Sequence, residues 1–241
     1  MESTHTSRWR RRSAVRSGLL TGLAQIVVAL AAAGAGALLA RKFGRNAETD
    51  GFLAAYAVYL VLVLAAQAFR MVVVPDLTRA VALGRLGGET RAFALAFLVV
   101  AVPVSVLVAV FSGRLGELIT GSLPPSSAHV ASRALVVLVP AAFGQLLAAV
   151  AASALAALDS YGTAAFGYAL GGVAGLVVFA ALANGHGIVS LAWGLGVNAV
   201  CALGVPLAAL LRKGALGGRW PAELLLGSRL WHVVQGAAVP L

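Results

Sequence analysis

Charge is what this sequence has least of. Only 11% of its 241 residues are Asp, Glu, Lys or Arg, where a water-soluble domain carries about 25%. Acidic residues are the scarcest, eight against eighteen basic ones. There is a single cysteine, Cys201, inside an apolar run, which excludes an intrachain disulfide and a thiolate metal site. His5, His129, His186 and His232 never fall at ligand spacing, and no HExxH, GxSxG or Walker pattern occurs. Enzyme chemistry has no visible carrier here, and no metal or cofactor is expected. Apolar residues are what is abundant, at 61%, with a mean hydropathy of +0.95. A chain of this size cannot hide so much apolar surface from water, so lipid must be the solvent for most of it.

A formal net charge of +10 raises nucleic acid as a partner. The basic residues lie between apolar runs, however, where they act as membrane topology signals, and no nucleic-acid partner is expected. The basic opening STHTSRWRRRSAVRS precedes an apolar run longer than the roughly 7–15 residues of a signal peptide, so this segment is read as retained.

Six apolar runs of 19 to 26 residues stand out: Ser17–Ala40, Phe52–Leu77, Phe93–Ser112, Leu135–Leu158, Phe166–Asn184 and Ile188–Leu211. About 20 apolar residues span a bilayer as a helix, and the alternation of barrel strands is absent. The expected fold is an all-α integral membrane protein, a six-helix transmembrane bundle. With the N-terminus in the cytoplasm, twelve basic residues fall inside and five outside (Arg41, Lys42, Arg45, Arg114 and Arg133), which favours N-in and C-in. The expected organisation is a basic cytoplasmic tail at 1–16, the six-helix lobe at 17–213 and a cytoplasmic juxtamembrane segment at 214–230. The stretch 231–241 reads as the start of a seventh helix, left incomplete in a truncated chain. Gly113–Ala134 is expected to hold a short interfacial helix around Leu115, Leu118 and Ile119. Gly167, Gly171 and Gly175, four residues apart, read as a close-packing face. Pro103, Pro140 and Pro206 are candidate kinks.

Polar residues inside the runs are the candidates for function: Gln25, Gln67, Arg70, Gln145 and Asn198. The glutamines and Asn198 suit helix–helix contacts or substrate contacts. Arg70 is the one charged residue well inside a run. It either snorkels to the headgroups or faces inward to meet an anionic group such as a lipid phosphate.

One cluster breaks the apolar pattern. ARKFGRNAETDGFLAAY, from Ala40 to Tyr56, gathers Arg41, Lys42, Arg45, Glu48 and Asp50. Asp50 suits a capping acid at the start of the second helix or one partner of a gating salt bridge. The stretch resembles the signature of the MviN-type lipid II flippases, a family of the multidrug/oligosaccharidyl-lipid/polysaccharide flippase superfamily. There the first helix ends in Ala-Arg-x-Phe-Gly, and Thr-Asp-Ala-Phe opens the second. The matches here are Ala40, Arg41, Phe43, Gly44, Thr49, Asp50 and Phe52. VVVPDLTRA and GIVSLAWGLGVNAVCALGVPL also resemble the ends of that family's helices two and six.

The resemblance implies one lobe of a two-lobed transporter in a bacterial-type plasma membrane. Such a protein works by alternating access on an anionic lipid-linked glycan, a peptidoglycan precursor in that family. Its partners are membrane lipids and either the missing C-terminal lobe or a second copy. Substrate or gating candidates are Arg70, Asp50, Arg41, Gln25, Gln67 and Asn198. Two departures are visible. Ala35 and Gly36 stand where the family carries an Arg-Asp pair, and Val63 and Leu64 stand near its helix-two arginine pair. These departures keep two alternatives open: a flippase-like membrane scaffold that has lost its cargo site, and another exporter of the superfamily, for polysaccharide or drugs.

Overall fold

The computed structural model describes residues 3–217, without the side chains of residues 3–17, Ala66, Phe69, Arg70 and Val72. The segment expected at 214–230, from 218 onward, and the whole of 231–241 lie outside the described residues. Within them every regular element is helical. The order is α1 (Ser3–Lys42), α2 (Ala47–Ala82), α3 (Leu86–Val110), α4 (Ser112–Thr120), α5 (Pro125–Ala157), α6 (Tyr161–His186), a 3-10 turn (Gly187–Val189) and α7 (Ser190–Arg212).

Among the described residues, five stretches are long and apolar enough to cross a membrane: Gly18–Lys42, Ala47–Ala65, Leu86–Val110, Pro125–Ala157 and Tyr161–Arg212. The last, 52 residues long, doubles back on itself. Gly167 lies against Val205 and Pro206, Gly171 against Asn198, and Gly175 against Gly194. That reversed order makes α6 and α7 an antiparallel hairpin. The backbones approach so closely that a β-carbon on Gly175 would sit 2.5 Å from the Gly194 carbonyl oxygen, and one on Gly194 would sit 2.5 Å from that of Gly175. The glycine spacing visible in the sequence is therefore a packing face, as small residues are between helices in lipid.

α5 is the hub. α2, α3, α4 and α7 pack around it, α6 lies on α7, and α1 lies mainly on α6. In their apolar stretches 72% of α5 is buried inside the protein, but only 6% of α1. Alanines at 148, 149, 151, 152, 154 and 156 of α5 keep its surface thin enough for several helices to reach it at once. One apolar cluster joins Phe52, Tyr59, Leu138 and Ile188 near the α1–α2 loop. A second joins Val73, Leu77, Phe93, Leu155 and Leu210 at the opposite end.

The helices outrun the apolar runs. α3 starts at Leu86, before Phe93, and α5 starts at Pro125, before Leu135. These first turns are polar, so hydropathy does not mark them. Pro125 instead occupies the first helical position, where a missing N–H costs nothing. α1 is helical from Ser3, through the basic segment. α4 is the short helix expected in the loop, with Leu118 exposed and Gly116 pressed on α5, 2.6 Å from the Ala128 oxygen at its would-be β-carbon. Pro103, Pro140 and Pro206 lie inside α3, α5 and α7, and Pro75 lies inside α2.

Candidate functional site

The charged cluster folds as the α1–α2 loop and the first turn of α2. Asn46 caps that helix. Its side-chain oxygen accepts from the Thr49 N–H at 2.8 Å, while its amide donates to the Phe43 carbonyl at 3.1 Å. This corrects the expectation for Asp50. Asp50 sits four residues beyond the cap, exposed, where its carboxylate faces the positive helix end without capping it. Asn46 wins because only a side chain preceding the first turn can fold back onto the free N–H groups.

The next residue, Gly51, makes a clasp with the start of α5. A β-carbon there would lie 2.1 Å from the Ser127 oxygen, and the Ser127 hydroxyl donates to the Ala47 carbonyl at 2.6 Å. Lys42, at the end of α1, donates to the Asn184 side-chain oxygen at the end of α6. Arg41, Arg45 and Glu48 are exposed. Arg41 and Asp50 thus share one end of the bundle, and neither has an ion-pair partner among the described residues. At the opposite end Arg79 and Asp76 form an exposed pair at 3.8 Å, a geometry worth little. There the turn after α7 lies over α3, with the Gly217 oxygen 2.2 Å from the would-be β-carbon of Gly87.

Below the α1–α2 loop, α1, α6 and α7 line a small half-open groove of about 110 Å³. Val28, Ala35, Gly172, Gly175, Gly194 and Asn198 are among its lining residues, and none of the lining side chains is ionisable. Asn198 is its polar element. Its side-chain oxygen is buried without a partner among the described residues, wedged where a β-carbon on Gly171 would lie 2.5 Å away. The groove offers no charge to an ion.

The other candidates are dispersed. Gln25 on α1 and Gln67 on α2 are exposed. Arg70 lies in the described helix α2, but its side chain is outside the described residues. Gln145, which has the same sequence character as the other glutamines, is the buried one. α2 carries a ladder of stacked rings nearer the α1–α2 loop: Phe52 and Tyr56 at 6.1 Å, then Tyr56 and Tyr59 at 5.6 Å. The seven-residue step from Phe52 to Tyr59 was the visible sign of that ladder.

No protein-family model matches the chain, and no curated protein matches it in sequence. Among solved structures, a MOP superfamily transporter from Pyrococcus furiosus superposes with a TM-score of 0.72 at 15% identity, over 93% of this chain and 51% of its own. The fold is that of half a MOP superfamily transporter. The described residues are all-helical, and the chain spans about half the length of the transporter it resembles. In that transporter, the reversed polarity of the binding pocket suggests a different function.

Proposed function

We propose that this chain is one lobe of a flippase-like transporter, crossing the membrane six times with both ends in the cytoplasm. The carrying observation is the coverage: nearly the whole chain superposes on about half of a transporter. The open faces agree with it. α1 exposes Leu23, Ile26 and Leu30, and α2 exposes Leu60, Val61, Leu64 and Met71, so both helices are free to face a second lobe or lipid. In this reading two lobes rock about a cavity between them, opening it to one side and then the other. An anionic lipid-linked glycan passes its headgroup through the cavity while its tail stays in the bilayer of a bacterial-type plasma membrane. The other lobe is a further part of a longer protein or a second copy.

Arg70, Gln67, Asn198 and Gln25 are the residues offered to the headgroup, with Arg41 and Asp50 at the outer rim. Arg70 supplies a fork that can hold two phosphate oxygens at once. The test is thermal-shift binding of a prenyl diphosphate, against phosphatidylcholine, in nanodiscs. Stabilisation by the diphosphate that weakens in Arg70→Lys supports the reading; no stabilisation of the wild type refutes it. Reconstituted alone, the chain is expected to insert without moving lipid headgroups.

One observation favours a second reading, a membrane scaffold without cargo. Ala35 lines an uncharged groove where the resembled family carries a charged pair, and Leu64 is exposed to the surroundings near its arginine pair. A wild type that binds no phospholipid headgroup but retains a stable partner protein would fit that reading.

A further inference from the structure

The end of the bundle opposite the α1–α2 loop carries cations that the packing does not use. α2, α5 and α7 finish here, and α3 and α6 begin here. α2 and α7 stop in the same way. The Arg85 N–H donates to the Ala80 carbonyl at 2.8 Å and the Gly84 N–H to that of Val81 at 3.0 Å, closing α2. The Ala215 N–H donates to the Leu210 carbonyl and the Gly214 N–H to that of Leu211, both at 3.0 Å, closing α7. Gly84 and Gly214 have φ of +65° and +64°, the left-handed turn that such closures need. Both chain reversals are therefore fixed by backbone hydrogen bonds.

The two reversals meet. The Ala215 and Gly217 oxygens lie 2.7 and 2.2 Å from a would-be β-carbon on Gly87. Leu86 and Leu210 share one apolar cluster, with Ala215 and Leu216 packed against it. Arg85 directly precedes Leu86, and Arg212 and Lys213 directly precede Gly214. These three cations thus stand on adjoining ends of one seam, and all are exposed. Lys213 donates to the Ser160 hydroxyl. Neither arginine side chain has a partner among the described residues. The described acids at this end answer little of the charge: Asp76 pairs with Arg79, Glu89 has an interaction of its own, and Asp159 is exposed beside Ser160.

Bare apolar side chains border the cations. Leu83, two residues before Arg85, is 68% exposed, and Leu211, immediately before Arg212, is 61% exposed. Tyr161, next to Ser160, is exposed as well, and tyrosine favours the headgroup level of a membrane. Cations beside uncovered leucines suit a molecule with an anionic head and an apolar tail.

We propose that Arg85, Arg212 and Lys213 bind the phosphate headgroup of an anionic phospholipid, whose acyl chain lies against Leu83 and Leu211. Arg212 and Lys213 also complement the negative end of α7, an effect indifferent to the surrounding lipid. Arg85 stands between the negative end of α2 and the positive end of α3, where the two dipoles offset and leave its charge unexplained. This site requires no transport activity and no particular cargo.

The test compares melting midpoints of the full chain in phosphatidylcholine nanodiscs and in nanodiscs that also contain phosphatidylglycerol. The two leaflets of a nanodisc are alike, so membrane orientation does not enter. Phosphatidylglycerol should raise the wild-type midpoint by about 2–6 °C. In Arg85→Gln/Arg212→Gln/Lys213→Gln that gain should fall by about half or more, the remainder coming from the basic opening segment. Reading the gain within each variant cancels any general loss of stability. Arg114→Gln/Arg133→Gln, exposed at the opposite end, should keep the gain. No wild-type gain, a triple variant that keeps most of it, or an equal loss in the opposite-end pair overturns the site. A triple variant destabilised equally in both lipids leaves these cations as helix-end complements only. Glycerol 1-phosphate added to phosphatidylcholine nanodiscs should not reproduce the gain; if it does, the seam takes free phosphate and the lipid assignment falls.

Discussion

Replacing Gly51 by alanine is the sharpest perturbation the fold suggests. The added β-carbon would lie 2.1 Å from the Ser127 oxygen and 2.7 Å from both its carbonyl carbon and its α-carbon. All three are backbone atoms, so no rotamer change relieves the overlap. Restoring an ordinary contact requires α2 and α5 to separate by about 1.3 Å at this end. That movement strains the hydrogen bond from the Ser127 hydroxyl to the Ala47 carbonyl, now 2.6 Å. Overpacking of this kind costs about 1–3 kcal/mol. A chain of this length then loses roughly 2–12 °C in melting temperature. Gly36→Ala is the control, since a β-carbon there meets nothing within 4 Å and alanine is the better helix former. The assay is thermal unfolding in nanodiscs, followed by tryptophan fluorescence. A Gly51→Ala midpoint within about 1 °C of Gly36→Ala would refute the contact. The comparison matters because the resembled signature has alanine at this position, so the same change would be silent if the helices were spaced more widely.

Two further predictions concern the loop end and the orientation. Asn46→Ala should cost about 1 kcal/mol by loss of its cap and lower the midpoint by a few degrees, while Asp50→Ala should cost less than half as much; equal losses would restore Asp50 to the capping role. In a Cys201→Ala background, an impermeant thiol reagent should label Ser126→Cys on intact cells and reach Arg85→Cys only after permeabilisation. Both positions are exposed, so the reverse pattern would invert the proposed topology.

The helices were legible in the sequence because lipid leaves little choice. A long apolar run must satisfy its own backbone, and the four-residue glycine spacing announces the α6 face. What hydropathy cannot read is the side on which a polar residue sits. Gln25, Gln67 and Gln145 look alike as letters in apolar runs, yet the first two are exposed and the third is buried. What separates them is the place of α5 at the centre of the bundle. The cap was legible in principle. Asn46 stands three residues before Thr49, at the distance a capping side chain needs, but the run of charges beside it drew attention to Asp50. Gly51 carried no local signal at all, because the atom that requires it belongs to residue 127, on another helix.

The placement of α1 has a consequence for how this protein is made. Its main partner, α6, ends at His186, whereas α1 ends at Lys42. At a synthesis rate of about 5–20 residues per second, the first helix waits roughly 7–30 s for that partner to emerge. α2 and its partner α5 are separated in the same way, by α3 and α4. During that interval α1 has lipid or the insertion machinery for company. Its apolar stretch from Gly18 has no charged residue before Arg41, so bare bilayer is a tolerable waiting place. Assembly of this helical bundle is thus a late, non-sequential event, and a ribosome stalled before α6 would leave a first helix that is inserted but unpaired.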